Sequence, residues 1–182
     1  AVHDDLAVGS PDSGRPHPQL DGVVGYFANT LVLRSRAHGD PGFAELLERT
    51  RATCLDAYDH AEVPFERLVE VLRPDRDRAR SPLFGVLFIL MPLPAPTLHL
   101  PGVRAEPVEV PAHGAKFDLT LTVAPAADGA DWRVRLEYNS DLFDAVTADR
   151  VLARLDAVLD AASADPHTPC LLYTSDAADE RS

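Results

Sequence analysis

Lysine is almost absent from this chain of 182 residues: Lys116 is the only one, and arginine supplies every other basic residue. Cysteine is scarce too. Cys54 and Cys170 are too few for a disulfide framework or a cysteine zinc site. The longest apolar runs, such as Pro82 to Pro92, fall short of the roughly 20 residues that cross a bilayer. No signal-peptide pattern follows Ala1. Neither G-x-G-x-x-G nor G-x-x-x-x-G-K-[ST] occurs, so no phosphate-cradling loop is expected. No G-x-S-x-G elbow occurs. The seven histidines show no H-E-x-x-H or comparable ligand spacing, so no metal site is expected. Basic residues are outnumbered, 17 against 29 acids, for a formal charge of −12. Such a surface repels phosphate backbones and argues against a nucleic-acid partner.

What is present is an ordinary globular balance, 46% hydrophobic and 25% charged, enough for one domain. Arginine and alanine richness suggests a GC-rich bacterial genome. The run Cys170-Leu171-Leu172-Tyr173-Thr174-Ser175-Asp176-Ala177-Ala178-Asp179-Glu180 resembles one reading frame of a transposon-type sequencing adapter. Residues 170–182 are therefore expected to be a disordered read-through scar, with a genuine polar tail as the alternative. Without its three acids and one arginine, the charge of −12 becomes −10. Cys54 is then the only cysteine of residues 1–169, and no disulfide can form within them.

Periodicity sketches the elements. Asp5 to Gly9 reads as a strand, Ser10 to Gln19 as a loop and Asn29 to Arg34 as a strand. Asp40 is an N-cap candidate with Pro41 at the first helical position. Phe43, Leu46, Leu47, Thr50, Cys54 and Tyr58 then share one face of a helix over 41–59. Pro64 opens a second helix with Phe65, Leu68, Val69 and Leu72 on one face, and Arg73-Pro74 closes it. Residues 74–81 read as a charged turn. Leu83 to Leu90 is apolar on both faces, as a central buried strand requires. Pro92 to Pro96 must be a loop, and a weak strand is expected near 103–110. Phe117 to Val123 and Trp132 to Tyr138 alternate around Asp128-Gly129, which predicts a hairpin. Thr147 is the cap candidate of a last helix with Val151, Leu152, Leu155, Val158 and Leu159 on one face. The order predicts an α/β lobe, a mixed β-sheet covered by helices.

Titratable residues alone reveal no active site. Asp4, Asp5, Asp75 and Asp77 read as solvated or paired with neighbouring arginines. His60 reads either as a helix-end histidine near the first helix's C-terminal dipole or as a functional group.

Three segments carry more. Val23 to Arg34 (VVGYFANTLVLR) resembles the V/I-G-x-F-V-N-T-x-x-x-R core of nonribosomal peptide synthetase condensation domains. His60 to Glu66 (HAEVPFE) resembles their H-Q-D-V-P-F-E core. Arg76 to Leu83 (RDRARSPL) resembles R-D-x-S-R-N-P-L. Asp4 to Arg15, Ala115 to Val123 and Leu136 to Phe143 look like the family's neighbouring strands. The departures are Ala28, Ala61, Glu62, Ala79 and Ser81. Asn29-Thr30 favours a condensation domain over its epimerising relative.

The resemblance implies a chloramphenicol-acetyltransferase-like lobe. In the family, two such lobes enclose a tunnel, and a catalytic H-H-x-x-x-D-G motif lies in the first. No His-His pair occurs here, so residues 1–169 are expected to be the second lobe alone, and the fragment inactive. The whole domain would form an amide between a donor thioester and an acceptor aminoacyl group, both held on phosphopantetheine of carrier domains. No cofactor would be bound directly. The implied partners are the first lobe, donor and acceptor carrier domains and a neighbouring adenylation domain, with neither nucleic acid nor membrane, in the cytoplasm. The alternatives are a non-catalytic carrier-docking lobe or an epimerisation-type domain. The implied tunnel or lobe-interface residues are Arg15, Asn29, Thr30, Arg80 and Ser81. Arg15 would pair with the aspartate of the absent motif. Asn29 and Thr30 would either cap backbone groups beside the tunnel or shape a turn. Arg80 would bind a carboxylate or carbonyls, or anchor its own loop. Pro64-Phe65 reads as packing.

Overall fold

The computed structural model describes residues 5–74, 81–92, 101–103, 108, 114–126 and 131–170. Five strands, β1 (Asp5–Asp12), β2 (Asn29–Arg36), β3 (Val86–Leu90), β4 (Leu119–Pro125) and β5 (Trp132–Tyr138), form one sheet in the order β2-β1-β3-β4-β5. The pairs β1–β2 and β4–β5 are antiparallel, while β1–β3 and β3–β4 are parallel. The mixed sheet expected from the element order is thus present. The helices are α1 (Phe43–Asp59), α2 (Phe65–Leu72) and α3 (Ala145–Ala164).

Register explains the apolar alternation. Leu33, Val8, Val86, Leu119 and Tyr138 lie in one row across all five strands. The next row of that face on the β3 side carries Phe88, Leu121 and Leu136. On β5 the opposite face carries Arg133, Arg135 and Glu137. As its two apolar faces require, β3 is the central strand. It is nevertheless only half-buried, and Leu90 at its end is exposed.

Several boundaries differ from the sequence expectation, each for a tertiary reason. β1 continues through Pro11, which sits opposite Thr30 beyond the two residues that pair with β3, where a missing N–H costs no ladder bond to that strand. α1 starts at Phe43 with Gly42 as N-cap, not with Asp40 as cap and Pro41 in the first turn. Gly42 is held in an antiparallel bridge with Pro169, and the Ala44 N–H donates to the Pro166 carbonyl at 2.9 Å. The segment leaving α3 therefore sets where α1 begins. The cap of α3 is Asp144, not Thr147: its Oδ1 accepts the Thr147 N–H at 2.7 Å, which puts Thr147 in the first turn. Residues 83–85 and 117–118 precede their strands instead of pairing within them.

Helix α1 rests on the edge strand β2, and Leu47 and Tyr58 of its expected apolar face remain about half exposed. Among the described residues, only Leu31, Phe84, Ala126, Ala148 and Ala162 are buried hydrophobics. Most of the turn 74–81, the loop after Pro92, most of 103–110 and Asp128-Gly129 lie outside the described residues, as does 171–182 of the expected tail. Cys170 is described, and its N–H donates to the Pro41 carbonyl at 3.1 Å.

Candidate functional site

A cleft of about 1290 Å³ lies where the C-terminal end of β1, the start of β2, the α1–α2 connection and the start of β4 converge. Arg15, Asn29, Thr30 and Ser81 all line it. Arg80 lies outside the described residues. Four of the five residues singled out in the sequence thus meet at one place, drawn from segments up to 66 positions apart.

Asn29 is the best-anchored of them. Its Nδ2 donates to the carbonyls of Ala61 and Val63, both at 2.8 Å. Its Oδ1 accepts from the N–H of Thr30 at 2.8 Å and of Phe65 at 3.1 Å. The Phe65 N–H is a first-turn donor of α2 with no intrahelical partner, and Pro64 offers no side-chain cap. A residue from β2 therefore caps α2 from 36 positions away. Of the two roles open to Asn29, the structure has backbone capping, on another element instead of its own turn. Because α2 begins at this bond, Glu62, Pro64 and Phe65 are delivered to the cleft wall.

Arg15 closes the opposite rim. Its guanidinium donates to the Leu20 carbonyl through Nη1 and to the Val23 carbonyl through Nη2 at 3.0 Å. It also stacks on Phe27, 4.3 Å from the ring centroid. Gly14 makes this packing possible. Its φ is +63°, and a Cβ there would fall 1.8 Å from the Phe27 carbonyl oxygen, so only glycine fits. Arg15 thus folds the 15–27 loop back on itself while still lining the cleft.

His60 lies at the C-cap of α1, with Nδ1 2.8 Å from the Asp56 carbonyl and 3.8 Å from its carboxylate. The backbone hydrogen bond to Asp56, and then the Asp56 charge, raise the imidazole above its ordinary value. It stands outside the main cleft, beside β2 and α2.

Sequence reasoning did not anticipate the floor. Phe84 is 5% exposed and touches Phe65 edge-on, ring centroids 5.7 Å apart, and Phe117 in a stacked arrangement at 5.3 Å. Lys116 and Asn139 join them on the lining. The available signal was positional: Phe65 follows Pro64, Phe84 follows Pro82-Leu83, and Phe117 opens the alternating run of β4. Among the described residues, no group of three His, Cys, Asp or Glu could hold a metal ion. No helix among them is long and apolar enough to cross a membrane. What the arrangement offers is an apolar floor with a polar rim.

A family model described as "Condensation domain" matches residues 1–181. The dimodular nonribosomal peptide synthase of Bacillus subtilis is 45% identical over 166 residues, covering 89% of this chain and 7% of that protein. The chain spans only 2–7% of the length of curated relatives that it matches. The X-domain from teicoplanin biosynthesis superposes with a TM-score of 0.81 at 25% identity, over 92% of this chain and 38% of that one. The same X-domain in complex with OxyB gives 0.77 at 26% identity, over 92% and 37%.

Proposed function

The chain belongs to the condensation-domain family, and from that premise we propose that it serves as the second lobe of a peptide-bond-forming condensation domain in a nonribosomal peptide synthetase. The observation that supports this is convergence. Arg15, Asn29-Thr30, Glu62, Pro64-Phe65 and Ser81, which come from separate family-like segments, line a single cleft. In this reading the cleft is one wall of the tunnel through which carrier-tethered substrates meet.

The reaction joins two acyl groups on phosphopantetheine arms. The acceptor amine attacks the donor thioester carbonyl, the C–N bond forms, the C–S bond breaks, and the departing thiolate takes up a proton. The histidine that orients or deprotonates the amine belongs to the H-H-x-x-x-D-G motif of the first lobe, and this sequence contains no His-His pair. This lobe holds the walls in register and confines the arms. Confinement makes a bimolecular step effectively unimolecular, worth up to about 7–11 kcal/mol when alignment is good. The partners of this reading are the first lobe, two carrier domains and an adenylation domain.

A docking role without catalysis is the second reading, supported by the X-domain that is seen in complex with OxyB. One assay separates the two. The chain is mixed with donor- and acceptor-loaded carrier domains, alone and together with a first lobe bearing H-H-x-x-x-D-G. Amide product only when that lobe is present is expected. Product from the chain alone overturns the two-lobe reading, and carrier binding without product in either mixture favours docking.

A further inference from the structure

Phe84 is the best-buried side chain on the cleft, and one glycine determines where its ring can sit. Gly9 lies in the middle of β1, paired with Val32 on one side and Leu87 on the other. A Cβ built on Gly9 would stand 2.3 Å from the Cε2 and Cζ atoms of Phe84 and 2.7 Å from Cε1. The tip of the ring therefore rests on bare backbone. Its flanks are held by Phe65 of α2 and by Phe117 before β4. Phe65, Phe84 and Phe117 all line the cleft, so the ring forms its floor and spans its two walls.

We propose that Gly9 and Phe84 together act as a gauge of cleft depth, a specificity-determining pair that limits the size of the apolar substrate side chain the cleft admits. The inference rests on the reading that substrates occupy this cleft. Any side chain at residue 9 drives the ring tip away by roughly 1 Å to restore van der Waals contact. The ring cannot move along the sheet, because Phe65 and Phe117 flank it, so it rises into the cleft and makes it shallower. Shortening Phe84 has the opposite effect. The apolar floor favours uncharged groups, while the charged side chains of Arg15, Glu62 and Lys116 stand among the lining residues where a peptide backbone or pantetheine amide can be bonded.

Lys116 makes the test simple, because it is the chain's single lysine and it lines the cleft. Reductive methylation with ¹³C gives one reporter there besides the Ala1 amine. The full chain is titrated with the N-acetyl amides of alanine, phenylalanine and tryptophan. The wild type is expected to bind the phenylalanine probe more tightly than the alanine probe. A methylene changes selectivity about tenfold or more in a closed apolar pocket; for this cleft the expectation is that Gly9→Ala weakens the phenylalanine probe about three- to fivefold and leaves the alanine probe unchanged. Phe84→Leu is expected to improve the tryptophan probe relative to phenylalanine. If Gly9→Ala lacks a cooperative melt, Phe84→Leu decides alone, since it adds nothing at residue 9. An unchanged ranking in folded variants, or no titration of the wild type, overturns the gauge. The condensation assay reads separately: product with an unchanged ranking removes the gauge and leaves the lobe, and the reverse result does the opposite.

Discussion

The two ends of the sheet are held together in different ways. On the β1–β2–α2 side, one side chain bridges distant elements, Asn29 tying β2 to residues 61–65, while Arg15 folds the loop after β1 back on itself through Leu20, Val23 and Phe27. On the β5–α3 side, the side-chain caps are local. Asn139 accepts from Asp141, Asp144 from Thr147, and Asp165 from His167 and Thr168, all two or three positions away. Local caps fix where an element begins but not where it sits. The cleft lies mainly on the side with the long-range bonds of Asn29, where the relative position of β2 and α2 shapes its wall.

The largest expected effect tests that contrast directly. Asn29→Ala leaves two carbonyls and two N–H groups without their partner, in a half-buried place where water replaces them only in part. A loss of about 2–3 kcal/mol is expected, read from the midpoint of urea unfolding. The comparison breaks if Asp144→Ala, which removes a local cap, costs as much.

Asp144→Ala itself is expected to lower the thermal midpoint by less than Asn29→Ala does, and to change its pH dependence. The hydrogen bonds from Thr147 hold the Asp144 carboxyl below the usual carboxylate range. Its contribution is therefore present above that range and is lost as pH falls through the lowered folded value. The variant should lose part of the wild type's acid-limb slope; an identical slope argues that the cap is idle.

His60 should give the smallest effect and the opposite sign. Its folded value is raised above 6.5 by the Asp56 carbonyl and carboxylate. The stabilisation is complete below about 6.5 and disappears as pH rises through the raised value. His60→Gln should flatten melting temperature against pH in that window alone. A change confined to acid pH would assign the titration to another group.

The sequence was most informative where burial follows a short period. The faces carrying Leu119, Leu121 and Val123 and carrying Val134, Leu136 and Tyr138 could be read from alternation alone, and α2 from Phe65, Leu68, Val69 and Leu72. The family-like segments likewise singled out Asn29 and Arg15 before their partners were visible. Helix starts were less legible. Asp40-Pro41 carries every local sign of an N-terminus, yet Gly42 is the cap because Pro169, 127 positions later, pairs with it. The aromatic floor was not legible as one cluster: position singled out each ring, but nothing near Phe84 in sequence announces Gly9, Phe65 or Phe117 as its neighbours.

By itself, then, the sequence determined most strands and helices to within a few residues, because side-chain alternation and helical spacing are properties of neighbouring residues, and its motifs carried the resemblance to the family. Only the tertiary structure decided which segments share the cleft. The order β2-β1-β3-β4-β5 places β3 between β1 and β4, so Phe84, just ahead of β3, arrives over Gly9 and between Phe65 and Phe117. That meeting depends on crossovers and on a close approach between a ring and bare backbone, which no local pattern encodes.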